Sequence, residues 1–170
     1  MRVYLPGTVS LLRELLDAGE LPPPLTGFAV TPTLREWYAS GDTEELEYAA
    51  LTDAARASLR LLDADPLAPR RRVVVAVDLD DGDTRLLTDL DRSAVRVSAP
   101  VTLRGIDAVH VDGVDAEPDV RAASAAILEA ELGSDDAQFV VDGAEGHELA
   151  WYAVQEIGPL LELWPEADAS

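Results

Sequence analysis

The sequence predicts an α/β or α+β fold, a single-domain mixed β-sheet of about five to six strands covered by helices. Three observations carry this expectation. Short apolar runs recur along the chain, and most are separated by segments whose apolar residues follow helical spacing. Arg72-Val73-Val74-Val75-Ala76-Val77-Asp78 is an unbroken apolar run between charged ends, which argues for burial on both faces and a central position. The 170 residues hold no internal repeat and no long linker, and one domain of that length can bury its own core.

The elements follow in order. Val3-Tyr4-Leu5 reads as the first strand, closed by Pro6-Gly7. Thr8 caps a helix with Leu11, Leu12, Leu15 and Leu16 on one side, and Gly19 stands where a left-handed C-terminal residue belongs. Leu21-Pro22-Pro23-Pro24 predicts a stiff connector that is neither helix nor ladder strand. Thr26 to Thr31 reads as a second strand. It enters a short helix, Leu34 to Ala39, with Thr31 as cap and Pro32 in the first turn, broken at Ser40-Gly41-Asp42. A long helix from Thr43 to about Asp63 has the apolar seam Tyr48, Leu51, Ala55, Leu59 and Leu62, and Pro66 and Pro69 end the segment.

After the central run, Asp80-Asp81-Gly82-Asp83 is a turn. Val95-Arg96-Val97 alternates like a half-exposed strand, and Ala108-Val109-His110-Val111 supplies another. Pro118 opens a helix to Leu132 with Val120, Ala123, Ile127 and Leu128 inward, stopped by Gly133. Asp135 to Val141 supports helix and strand alike. Leu149 to Val154 reads as a strand, followed by a short helix through Leu160, Leu161 and Leu163. The domain thus spans 1–164, with 165–170 a frayed tail.

Met1-Arg2-Val3-Tyr4-Leu5-Pro6, Ala29-Val30-Thr31-Pro32, Leu34-Arg35-Glu36-Trp37-Tyr38 and Glu45-Leu46-Glu47-Tyr48-Ala49-Ala50 resemble an uncharacterised actinobacterial family of small acidic proteins, a domain of unknown function. Ala54-Ala55-Arg56, Asp142-Gly143-Ala144-Glu145, Trp151-Tyr152 and Gln155-Glu156-Ile157 are similar to it as well. The resemblance spans nearly the whole chain. It implies a cytoplasmic protein of a GC-rich bacterium and carries over no activity and no catalytic residue.

Composition excludes more than it selects. Against 33 Asp+Glu stand 13 Lys+Arg, all of them Arg, for a formal charge of −20. Without Cys there is no disulfide, thiolate or Cys-ligated metal chemistry, and without Lys no Schiff base or P-loop ammonium. The missing Lys and Asn look like codon bias of a GC-rich genome. The charge repels phosphate backbones and anionic lipid, so neither nucleic acid nor membrane is an expected partner. The N-terminus reaches Pro6 and Gly7 at once and lacks the apolar stretch of a secretory signal, so a cytoplasmic location is expected.

Five groups of residues could carry chemistry or binding. His147-Glu148 places an imidazole and a carboxylate after Gly143 and Gly146, a weak catalytic candidate because sequence neighbours on a strand face opposite ways. His110, between two valines, faces solvent or a cleft. Thr31, Arg35, Trp37 and Tyr38 gather where a strand meets a helix start and form the ligand-binding candidate, with Arg35 as a fork for a carboxylate or phosphate. Asp78, Asp80, Asp81 and Asp83 resemble half a calcium loop but have Gly82 where a ligand is needed and Asp89 in place of the closing Glu, so no metal and no cofactor is expected. Glu44, Glu45 and Glu47 on the long helix form the partner-binding candidate.

The leading expectation is a non-catalytic acidic protein-interaction module whose partner is basic. The alternative is a small-ligand-binding protein or enzyme with a cleft near Arg35, His147 and Glu148, and convergence of those three residues discriminates the two.

Overall fold

The computed structural model describes residues 1–38 and 41–164. Seven strands form one sheet in the order β5-β6-β3-β1-β4-β8-β9: Arg2–Gly7 (β1), Leu25–Ala29 (β3), Val73–Asp78 (β4), Thr84–Leu86 (β5), Ala94–Val97 (β6), Ile106–Val111 (β8) and Ala150–Tyr152 (β9). Glu20–Leu21 (β2) and Val101–Thr102 (β7) make a separate two-stranded ladder. Helices are Val9–Ala18 (α1), Pro32–Trp37 (α2), Thr43–Ala64 (α3), Glu117–Glu131 (α4), Asp135–Glu145 (α5) and Ile157–Leu163 (α6). The class is the mixed α and β single domain that the sequence predicts, with more strands than expected and every pairing antiparallel.

Alternation along the strands divides the core. Val3 and Leu5, Val73, Val75 and Val77, and Val109 and Val111 face α1 and α6. Tyr4, Phe28, Val74, Ala76 and Ala94 face α3. The central run is as expected, since Val73, Val75 and Val77 are fully buried in a strand flanked by β1 and β8. The α4–α5 hairpin packs on the later part of α3 through Leu59, Leu62, Val120, Ile127 and Val141.

Local signals act as read at several ends. The Thr8 hydroxyl accepts from the Leu11 N–H, the Thr31 hydroxyl accepts from the Leu34 N–H, and Gly19 sits at φ 78°. Gly27 is needed for another reason. A Cβ there would lie 2.4 Å from Val3 Cγ1, so β3 approaches β1 only without a side chain.

Three expectations are corrected, one holds and one left open is resolved. Leu21 keeps its N–H ahead of the prolines and joins the β2–β7 ladder, its side chain buried. On α3 the expected Ala55, Leu59 and Leu62 are buried, but Leu46, Ala50, Ala54 and Ala57 face inward with them, whereas Tyr48 is 58% exposed and Leu51 half-buried. Alanines let the helix come close to Tyr4 and Phe28, where larger side chains would hold it away. Leu128 points outward because Ile127 and Ala130 take the inner face of α4. Val95 and Val97 are wholly buried with Arg96 half-buried between them, the alternation expected, and β5 pairs outside β6. Asp135 to Val141, which supported helix and strand alike, is helix, capped by the Ser134 hydroxyl, and Gly143 lies inside that helix. Ala39, Ser40 and the expected tail 165–170 lie outside the described residues.

Two buried polar connections join the layers. The Ser58 hydroxyl donates to the Gly7 carbonyl at 2.7 Å and accepts from the Val73 N–H at 3.1 Å, tying α3 to β1 and β4. Arg72 grips Asp112 through Nε and Nη2, both at 2.8 Å, with both side chains sealed from solvent. Asp112→Ala is expected to cost about 3–5 kcal/mol in urea unfolding, because Arg72 would be left buried and unpaired. Ser58→Ala is expected to cost about 1–3 kcal/mol by orphaning one donor and one acceptor.

Candidate functional site

Because α3 packs over β3, β1 and β4, the same sheet face beyond it, on β8 and β9, is left as the floor of a groove. Register sets that floor. His110 on β8 pairs with Trp151 on β9 and with Val74 on β4, so His110 and Trp151 share the α3 face. Tyr48, Leu51, Thr52 and Ala55 of α3 form one wall, and Glu145, His147, Glu148 and Leu149 close the end. This cavity of about 390 Å³ runs into a second of about 260 Å³, which shares Tyr48, Leu51, His110 and Trp151 with it and adds Arg2, Glu44, Glu47 and Asp107. The result is one elongated groove. Its floor and walls are apolar and aromatic, and carboxylates stand around it.

The groove end is fixed by hydrogen bonds. Arg72 Nη2 donates to the His147 carbonyl at 2.9 Å, and His147 Nε2 lies 2.7 Å from an Asp119 oxygen. The imidazole is therefore paired with Asp119 on α4 and not with Glu148, its sequence neighbour, which is exposed. At the other end, Arg2 forms ion pairs with Asp78 and Asp107, each at 3.3 Å. Burial holds the His110 imidazole below its ordinary value, while Asp107 opposes the shift and Arg2 adds to it. Burial likewise raises the Tyr4 phenol, with Glu47 adding to the effect.

The remaining sequence candidates fall elsewhere. Arg35 is exposed and lines a depression with Met1, Arg2, Val30, Thr43 and Glu47 that meets the outer lobe of the groove at Arg2 and Glu47, and among the described residues neither His147 nor Glu148 lines it. The expected common cleft does not form, because α2 lies past the N-terminal end of α3 while His147 follows α5. Thr31 is fully buried and spends its hydroxyl on the Leu34 N–H and the Arg92 carbonyl. Trp37 is covered by the Arg92 guanidinium at 3.5 Å, and Tyr38 is exposed beside it in sequence. Glu44 and Glu47 border the groove, and Glu45 is exposed without lining it. Among the described residues, no three His, Asp or Glu side chains come together as a metal site.

Tyr48, Leu51, Leu149 and Trp151 are the lining residues that sequence reasoning missed as site residues. The aromatic Trp151-Tyr152 pair on a strand was legible, but its registry with His110 was not.

A family model described as a family of unknown function, DUF6912, matches residues 1–161. No curated protein and no solved structure matches the chain.

The pH dependence of this floor has a definite sign. His110 in the folded chain titrates below about 6.5, its value when unfolded, so the folded state disfavours the proton. Stability is therefore full above that value and declines as pH falls through it toward the folded value. His110→Gln should remove this part of the decline between about pH 7 and about pH 5, read as the difference between the two proteins' melting temperatures.

Proposed function

We propose that this chain, which belongs to the DUF6912 family and takes no activity from that membership, is a non-catalytic interaction module that receives a basic segment of another protein in the α3–β9 groove. The observation that carries the reading is the pairing of exposed aromatic surface with a net acidic rim, in which Asp107 and Glu145 are held by Arg2 and Arg56 while Glu44, Glu47 and Glu148 carry no ion pair among the described residues. Tyr48 and Trp151 are about 60% exposed inside the groove, where Glu44, Glu47, Asp107, Glu145 and Glu148 stand. Exposed large aromatics within a concave site are the anchors that interfaces use, and charge of one sign around them selects the partner's sign.

The whole-molecule field supports the same choice. A formal charge of −20 steers basic partners inward and repels a second copy of the chain. Cytoplasmic action in a GC-rich actinobacterium is part of this proposal and is supported by the Lys- and Asn-free composition. Among the described residues no helix is long and apolar enough to cross a membrane.

A short labelled peptide alternating arginine with valine should bind, and its affinity should drop steeply between about 0.05 M and about 0.2 M salt as the screening length shortens. Glu44→Gln with Glu47→Gln should slow association more than it speeds dissociation, measured by stopped-flow anisotropy. Duplex DNA should not bind at any salt. Salt-independent peptide binding, or unchanged association in the double variant, would remove the electrostatic basis of the reading.

A further inference from the structure

We propose that the groove reads one feature of its partner specifically: an arginine side chain, stacked on Trp151 with Tyr48 on the facing wall and the rim carboxylates around the guanidinium. This rests on the interaction reading above and names the chemistry of the occupant.

The molecule's own tryptophans supply the first argument. Arg92 lies over Trp37 at 3.5 Å and Arg71 over Trp164 at 5.1 Å. Trp151 is the third tryptophan, and among the described residues no cation covers its ring or that of Tyr48. Its ring stands on an edge strand that pairs with β8 alone and is 60% exposed. A cation over an indole face is attracted by the ring quadrupole, and the attraction grows as the pair is desolvated within a groove.

The second argument is the surrounding charge. Glu148 lies at one end of the groove and Glu44 and Glu47 toward the other, while Glu145 and Asp107 beside them are already paired with Arg56 and Arg2. Arg2 is occupied by Asp78 and Asp107, and Arg72 by Asp112 and the His147 carbonyl. The carboxylates near Trp151 thus favour a planar cation that can stack and donate in several directions, which is arginine rather than lysine. The two connected lobes exceed what one side chain fills, so the occupant is an extended segment and not free arginine.

The test uses the full chain and the arginine–valine peptide, alongside the same peptide carrying citrulline, which keeps the planar shape but replaces one nitrogen donor with a carbonyl oxygen and carries no charge. Affinities are measured for the wild type, Trp151→Leu, Trp151→Phe and Tyr48→Leu, each first checked by circular dichroism. The ratio of arginine-peptide to citrulline-peptide affinity should fall about fivefold in Trp151→Leu. Trp151→Phe should restore part of it, and Tyr48→Leu should lower it by a smaller factor. An arginine peptide that binds with the same ratio in Trp151→Leu overturns the stacked arginine and leaves the interaction module standing. A lysine peptide that binds as tightly as the arginine peptide overturns the preference for guanidinium, and free arginine amide competing as well as the peptide overturns the extended segment. Failure of any basic peptide to bind at low salt overturns both readings.

Discussion

The Arg72–Asp112 pair fastens together three parts of the chain that lie far apart in sequence. Both charges are out of water, and two buried ions are costly unless geometry and further hydrogen bonds repay the desolvation. Here the repayment is dense. Asp112 takes Nε, Nη2 and the backbone N–H of Arg72, and its own N–H returns a bond to the Arg72 carbonyl. Arg71 adds a bond to the Asp112 carbonyl, and Arg72 reaches on to the carbonyl of His147. The start of β4, the end of β8 and the exit from α5 are therefore fastened at one point. That point is also the inner end of the groove, so the shape of the binding face depends on the same pair that anchors the sheet.

Several other arginines are used in a related way, and this sharpens the acidity of the surface. Arg70 donates to the carbonyls of Leu62, Asp65 and Ala68, closing the end of α3. Arg13 donates to the carbonyls of Leu161 and Trp164, holding α6 to α1. Arg56 and Arg60 clamp α3 to the α4–α5 hairpin through Gln138, Glu131 and Glu145. Positive charge is spent on internal seams, and most of the unpaired charge facing solvent is negative. A chain with few basic residues and no lysine can thus present a surface more one-sided than its composition suggests.

What the sequence made legible was local chemistry. The caps at Thr8 and Thr31, the stop at Gly19 and the burial of Val73 to Val77 each follow from a residue type acting on its own backbone or its own strand. What escaped were choices made between elements. The seam of α3 was right at Ala55, Leu59 and Leu62 but misplaced in its N-terminal half, because side-chain size suggested Tyr48 and Leu51, whereas close packing on Tyr4 and Phe28 selects alanines. The partner of His147 was misplaced because Asp119 lies 28 residues away and arrives only when the α4–α5 hairpin forms. Arg35 and Glu148 were joined in expectation by their chemistry alone, and the course of the chain keeps them in different depressions.

The error in the α3 seam explains how the groove arises. A helix that buries Leu46, Ala50, Ala54 and Ala57 must turn Tyr48 and Leu51 sideways, since those positions lie on another part of its circumference. Small inward residues bring the helix down onto the sheet, which deepens the step between its flank and the strands beyond it. β8 and β9 then continue the sheet past that step, and their alternation puts His110 and Trp151 upward while Val109 and Tyr152 enter the opposite core. Concavity, aromatic lining and partial burial of His110 are thus consequences of one packing decision, the use of alanine under α3. Enlarging Ala50 or Ala54 would lift the helix and strain the core while flattening the groove, so the stability of the fold and the depth of the face are coupled through the same residues.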